Sequence, residues 1–227
     1  MITDFVGITF WVATASMLAS SVFFFMERGD VIKQWRTSLT VATLVTGVAF
    51  WHYLFMRSIW VDTGMSPTSY RYVDWIITVP LQIVEFYLIL KAVTKVKISL
   101  FWQLLLGSLI MLVFGYLGEA NYISDIPAFI LGMIGWIIVI YLIFFGEGAK
   151  TSSNSGNSSS QMAFNAMRWI VLVGWAIYPI GFVIGNLLDI SNAASTMNAI
   201  YNLADLVNKT AFGLVIWAAA KRDSENK

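Results

Sequence analysis

The chain has no cysteine, a single histidine in 227 residues, and only 12% charged residues. The missing thiols exclude disulfides, thiol nucleophiles and cysteine-based metal sites. One histidine leaves no imidazole set for a zinc centre, so no metal is expected. Charge at about half the soluble average leaves little polar surface for a water-soluble globule. A formal net charge of +1, without a basic patch, argues against a nucleic-acid partner. What abounds is apolar: 58% of residues are hydrophobic, with ten Trp, nine Tyr and sixteen Phe. Such rings suit membrane interfaces and would also suit an aromatic ligand pocket.

Crossing a bilayer takes about 20 mostly apolar residues. Seven stretches qualify, at residues 5–26, 37–56, 70–90, 100–118, 126–145, 169–188 and 199–220. The expected fold class is an all-α membrane protein, a bundle of seven transmembrane helices forming one domain over residues 1–227. No secretory signal is visible within the sequence, because residues 1–4 carry no Lys or Arg and the following apolar run is of spanning length. No internal repeat is visible. Connections are short except at 146–168, where the serine, asparagine and glycine of 151–160 read as a flexible polar linker.

Lys and Arg in short loops set the orientation of such a bundle. Eleven of them fall on one side: Arg28, Lys33, Arg36, Lys91, Lys95, Lys97, Lys150, Arg168, Lys221, Arg222 and Lys227. Only Arg57 falls on the other. The asymmetry predicts an outside N-terminus and a cytoplasmic C-terminus, in a plasma or inner membrane.

Five charged residues lie inside the predicted spans: Arg71, Asp74 and Glu85 on the third, Asp205 and Lys209 on the seventh. Each costs roughly 2.5–3.5 kcal/mol at a helix centre, so five need a reason. Lys209 sits roughly 15 Å from either end of its span, too far for its side chain to snorkel to water. One reading is a structural ion pair with Asp205, one turn earlier. The other is an amine kept nucleophilic by an apolar pocket, able to condense with an aldehyde as a Schiff base. Asp74 and Glu85 are eleven residues apart, on one helical stripe about 16 Å long. Arg71 and Thr78 flank Asp74 on it. With the expected orientation these groups form a column: Arg71 and Asp74 outside, Lys209 and Asp205 near the middle, Glu85 toward the cytoplasm. A proton relay needs such a column, whereas a structural network would cluster at one depth. Arg71 and Lys209 offset Asp74 and Asp205, leaving Glu85 among apolar neighbours, where desolvation favours its neutral form. A neutral acid on the intake side is a proton donor, and an ionised one beside a cation is an acceptor.

At these residues the chain resembles a known family. Arg71-Tyr-Val-Asp74-Trp75-Ile-Ile-Thr78-Val-Pro80 is similar to the third-helix signature of microbial rhodopsins. Asp205-Leu-Val-Asn-Lys209 resembles their retinal-lysine segment, and Trp175-Ala-Ile-Tyr178-Pro179 their sixth-helix pocket motif. Among them the proteorhodopsins match best, through Phe-Trp-His52-Tyr, Gly-Tyr-Leu-Gly-Glu119-Ala and Tyr-Asn-Leu-Ala-Asp205. The similarity covers nearly the whole chain.

The resemblance implies a light-driven outward proton pump, a transporter rather than an enzyme, with all-trans-retinal bound to Lys209 as a protonated Schiff base. It implies Asp74 as counter-ion and proton acceptor, Asp205 as second counter-ion and Glu85 as cytoplasmic donor. Asp-Thr-Glu at Asp74, Thr78 and Glu85 is the proton-pumping pattern; chloride pumps lack the first acid, and sodium pumps carry Asn-Asp-Gln. By the same resemblance Trp75, Met111, Gly115, Trp136, Trp175, Tyr178 and Pro179 line the retinal slot, although aromatics and Met in a membrane core are more often packing. Pro80 and Pro179 are expected to kink their helices. His52 is expected to interact with Asp74, and Trp11 matches a residue that meets this histidine across a subunit contact. A homo-oligomeric ring, pentamer or hexamer, is therefore implied. Gln82 stands where blue-absorbing members carry Gln and green-absorbing ones Leu, which predicts a blue-absorbing pigment. The outer loop near Asp189 lacks the glutamate pair that serves proton release in archaeal pumps. Two rivals stay open: a slow-cycling retinal photosensor, against which Glu85 argues, and a retinal-free seven-helix receptor or channel.

Overall fold

A computed structural model of the chain describes residues 4–188 and 193–226. Asp189, singled out above, lies outside the described residues. The described residues form helices joined by short connections, without strands, and supply seven spans long and apolar enough to cross a membrane. The chain is a seven-span, all-α membrane protein. The first five spans are α1 (Phe5–Glu27), α2 (Arg36–Thr63), α3 (Thr68–Lys91), α4 (Ile98–Glu119) and α5 (Asp125–Phe144). A short helix, α6 (Glu147–Ser153), precedes the sixth span, and α9 (Ala193–Glu225) is the seventh. The sixth is composite: α7 (Ser158–Trp169), a π-helical turn at Ile170–Gly174, α8 (Ile177–Phe182) and a second π turn at Val183–Leu187.

Several boundaries differ from those read in the sequence. The polar stretch expected as a flexible linker forms α6 and the start of α7, leaving residues 154–157 between them. The Asn157 side chain caps α7, accepting from the Ser160 N–H at 2.8 Å. The second helix continues past residue 56, through Arg57, and stops at Gly64, whose left-handed φ of 68° suits glycine.

Burial explains the arrangement. The third span is the most enclosed of the seven, consistent with its load of polar and charged residues. Outward-facing positions carry large apolar side chains such as Phe25, Trp102, Ile137 and Val207, as lipid demands. Close approach of α4 and α5 depends on glycine. A Cβ on Gly135 would lie 2.5 Å from the Met111 nitrogen and 2.7 Å from the Gly107 carbonyl. That approach sets Met111, Gly115 and Trp136 on one wall of a central cavity.

The two intrahelical prolines behave differently. The helix α3 runs unbroken through Pro80. Near Pro179 the regular pattern fails: Trp175 N–H reaches back to Ile170 O at 3.2 Å, and Tyr178 N–H bonds Trp175 O at 3.1 Å. The Gly174 carbonyl thereby loses its usual intrahelical donor, and Asn208 of α9 supplies one from Nδ2 at 3.1 Å.

Candidate functional site

Helical spacing builds the site. On α9, Asn198, Asn202, Asp205 and Lys209 recur every three or four residues, which stacks them on one face. On α3, Arg71, Asp74, Thr78, Gln82 and Glu85 do the same. All nine are buried.

The stripes meet at Lys209, the midpoint of the 33-residue α9. Its Nζ donates to Asp74 Oδ2 at 2.6 Å and to Asp205 Oδ2 at 2.9 Å. The intrahelical pair with Asp205 therefore exists, but the carboxylate on α3 is the nearer partner. Burial makes this triad costly unless each charge is paired.

The two carboxylates are supported unequally. Asp205 Oδ2 also accepts from Tyr53 Oη at 2.9 Å and Trp75 Nε1 at 3.1 Å, and Oδ1 accepts from Tyr178 Oη at 2.5 Å. Asp74 has Lys209 on Oδ2, while its buried Oδ1 has no hydrogen-bond partner among the described residues. His52 Nδ1 stands 3.9 Å from that oxygen and 2.9 Å from Val48 O. Thr78 Oγ1 bonds the Asp74 carbonyl at 3.0 Å, so its hydroxyl serves the backbone.

Arg71 directs its hydrogen bonds to neutral groups. Nη2 donates to Asn198 Oδ1 and Asn202 Oδ1, both at 3.0 Å, and Nη1 reaches Tyr53 Oη at 3.4 Å. Phe10, Tyr53, Trp75 and Tyr201 surround its guanidinium at 5.5 to 6.0 Å. Beyond it, Thr68 Oγ1 bonds Glu119 Oε1 at 3.4 Å.

At the other end of the α3 stripe, both Glu85 oxygens are buried without a well-formed hydrogen bond. Ser38 of α2 is a polar neighbour of this carboxyl. The expected purely apolar setting is thus corrected by one polar neighbour.

A cavity of about 870 Å³ of empty space, counting its open mouth, has Lys209 in its lining. Trp75, Gln82, Met111, Gly115, Trp136, Trp175, Tyr178 and Pro179 line it, as does Asp205. Every expected pocket residue thus lines the same cavity. Thr78, Glu85, Arg71 and His52 stand outside it, along the charged column. The sequence reading missed Tyr53, Asn198, Asn202 and Asn208. The 198-202-205-209 spacing was a usable signal for the asparagines; nothing in the sequence marked Tyr53 beyond its place next to His52.

Comparison with known proteins gives this geometry a context. A family profile described as "Bacteriorhodopsin-like protein" matches residues 4–222. The chain is 54% identical to a green-light absorbing proteorhodopsin of the gamma-proteobacterium EBAC31A08, over 99% of this chain and 90% of that one. It is also 54% identical to a blue-light absorbing proteorhodopsin of the gamma-proteobacterium Hot 75m4, with the same coverages. The crystal structure of blue light-absorbing proteorhodopsin from Med12 superposes with a TM-score of 0.84 at 55% identity, over 97% of this chain and all of that one.

Proposed function

The chain belongs to the bacteriorhodopsin-like family, and we propose that it moves protons outward across its membrane under light. Proteins of this family are transporters rather than enzymes, and retinal is their chromophore. The cavity suits that group: its walls are mainly aromatic and apolar, and a buried primary amine is part of its lining. Lys209 would hold retinal through a Schiff-base link, and retinal would supply light absorption and a change of shape. Trp75, Trp136, Trp175 and Tyr178 would clasp its polyene, with Met111, Gly115 and Pro179 completing the slot.

The remaining steps belong to the protein. Lys209 Nζ points a proton at Asp74 Oδ2, and Asp74 Oδ1 is uncommitted, so Asp74 is the acceptor. Asp205, held by three neutral donors besides Lys209, is the fixed counter-ion. Glu85, buried and barely hydrogen-bonded on the side that carries the basic loops, is the donor that returns a proton to Nζ. Arg71 keeps the outer side positive beyond Asp74, and His52 stands beside the open oxygen of the acceptor. With the basic loops in the cytoplasm and the N-terminus outside, acceptor and donor lie on the correct sides for export.

The observation that carries this reading is the inequality between Asp74 and Asp205 around one buried amine. Illuminated cells making the protein with all-trans-retinal should acidify their medium, and a protonophore should abolish the change. No acidification from cells that hold the coloured pigment would overturn pumping and favour a sensor. Relatives of both colours are equally similar in sequence, so the same proposal takes blue absorption from Gln82, a polar side chain lining the cavity that Lys209 shares. It also includes a ring of five or six copies, with exposed Trp11 on the contact face.

A further inference from the structure

The loop side of the sixth span contains a second, polar cavity. Ser152 and Ser153 of α6 face Gln161, Phe164, Asn165 and Arg168 of α7 across it. Gln161, Asn165 and Arg168 recur every three or four residues, so one face of α7 looks onto the space. Much of the polar capacity there is already used. Gln161 Nε2 donates to the Ser152 and Ser153 carbonyls at 3.1 Å each, and Ser153 Oγ bonds the Ala149 carbonyl. The acceptors at the end of α6, which would repel an anion, are thereby occupied.

The donors are not. Arg168 has no carboxylate in ion-pair range and no hydrogen-bond partner among the described residues, and its Nε is buried. Its guanidinium lies over the Phe144 ring at 4.9 Å, which holds it in place without neutralising it. The nearby acid, Glu147, pairs with Lys97 at 3.7 Å. Three groups thus remain to donate into the cavity: the Arg168 guanidinium, the Asn165 amide and the Ser152 hydroxyl. A planar, permanently charged fork flanked by neutral donors matches the oxygens of a phosphate ester.

Position selects the source. Exposed Tyr141, Phe145 and Trp169 surround this end of the bundle, as aromatic residues do where acyl chains give way to headgroups. A phosphate bound at that level brings its acyl chains against the apolar outer face, where Val173 is also exposed. We propose that the α6–α7 cavity is a binding site for the phosphate of an anionic phospholipid, with Arg168 as its cation. It is independent of how the central cavity works.

Native mass spectrometry of the retinal-reconstituted full chain tests this. The protein is equilibrated with phosphatidylglycerol, with phosphatidylcholine, or with inorganic phosphate alone. One phosphatidylglycerol should be retained per chain, at least about tenfold in excess of phosphatidylcholine. Arg168→Gln should erase that preference and Asn165→Ala weaken it, while the visible band shows that both variants are folded. Arg57→Gln, an equal change of charge at the opposite end, should leave it intact. Equal retention of both lipids by the parent protein, or undiminished preference in Arg168→Gln, would overturn the site. Arg168-dependent binding of inorganic phosphate without lipid retention would overturn the lipid as its occupant.

Discussion

The two halves of the bundle on either side of Lys209 are built in opposite ways. Toward Arg71, polar groups are dense: Asp205, Tyr53, Tyr178, Asn198 and Asn202 join in one hydrogen-bonded network with the guanidinium. Toward Glu85 polar groups are sparse: its chain neighbours Ile83, Val84 and Phe86 are buried and apolar, and Ser38 is its polar neighbour. A dense network holds charge in place, because each displaced proton or charge must break several bonds at once. A dry segment instead offers a charge few bonds, so an ion there is costly. The same contrast recurs in miniature at the triad, where Asp205 is saturated and Asp74 keeps one oxygen free.

Removing the centre of the comparison should have the largest effect. Lys209→Ala leaves no other amine in the cavity, so the protein should insert but stay colourless with retinal. A red-shifted covalent pigment in that variant would show that the link lies elsewhere.

Asp74→Asn should shift absorption to longer wavelength and reduce light-driven acidification by at least about 10²-fold, the usual scale for losing a positioned base. Acidifying the parent protein should produce a similar colour change as Asp74 takes up a proton. A maximum that stays constant throughout an acid titration would mean that Asp74 is not the titrating neighbour.

Glu85→Gln probes the dry half. Colour should hardly move, since Glu85 is about 16 Å along the helix from Asp74. Recovery of the dark state after a flash should slow by about 10²-fold, and added azide should restore part of it. Flash spectroscopy showing parental recovery would give the return proton another route.

Tyr53→Phe tests redundancy in the dense half. Asp205 keeps Tyr178, Trp75 and Lys209, so pumping should persist. Thermal bleaching should reveal a loss of roughly 1–2 kcal/mol, the range for one buried bond to a charged acceptor. Abolished pumping would mean that the network has no spare donor.

Gln82→Leu should be the mildest change. A polar group near the Lys209 end stabilises ground-state positive charge, so losing it should move absorption to longer wavelength without stopping transport. An unchanged maximum would remove Gln82 from colour tuning.

Length and apolarity made the seven spans readable, and mid-span charges made the column readable, because both are expensive in lipid. What escaped did so for physical reasons. The second helix continues past residue 56, and α7 starts at Ser158 rather than 169; both extensions contain polar residues that hydropathy discounts. There the signals were Gly64 and Asn157, end markers rather than apolar runs. Tyr53 and the asparagines escaped because neutral polar and aromatic side chains are tolerated in a bundle core whether or not they serve a site. The inequality of Asp74 and Asp205 lies in donors contributed by α2, α3 and α8, which no single helix reveals.

The charged triad also bears on how the protein reaches its membrane. Arg71 and Asp74 are three residues apart on one helix, and Asp205 and Lys209 four apart on another. Each helix can thus enter the bilayer carrying its own neutralising pair, which tempers a cost of roughly 2.5–3.5 kcal/mol per bare charge. In the assembled bundle the attachments are shared between helices: Arg71 bonds the asparagines of α9, and Lys209 lies closer to Asp74 than to Asp205. Bundle closure thus adds partners between helices: Lys209 keeps Asp205 and gains Asp74. The added bonds tie α3 to α9 around the amine that the central cavity shares.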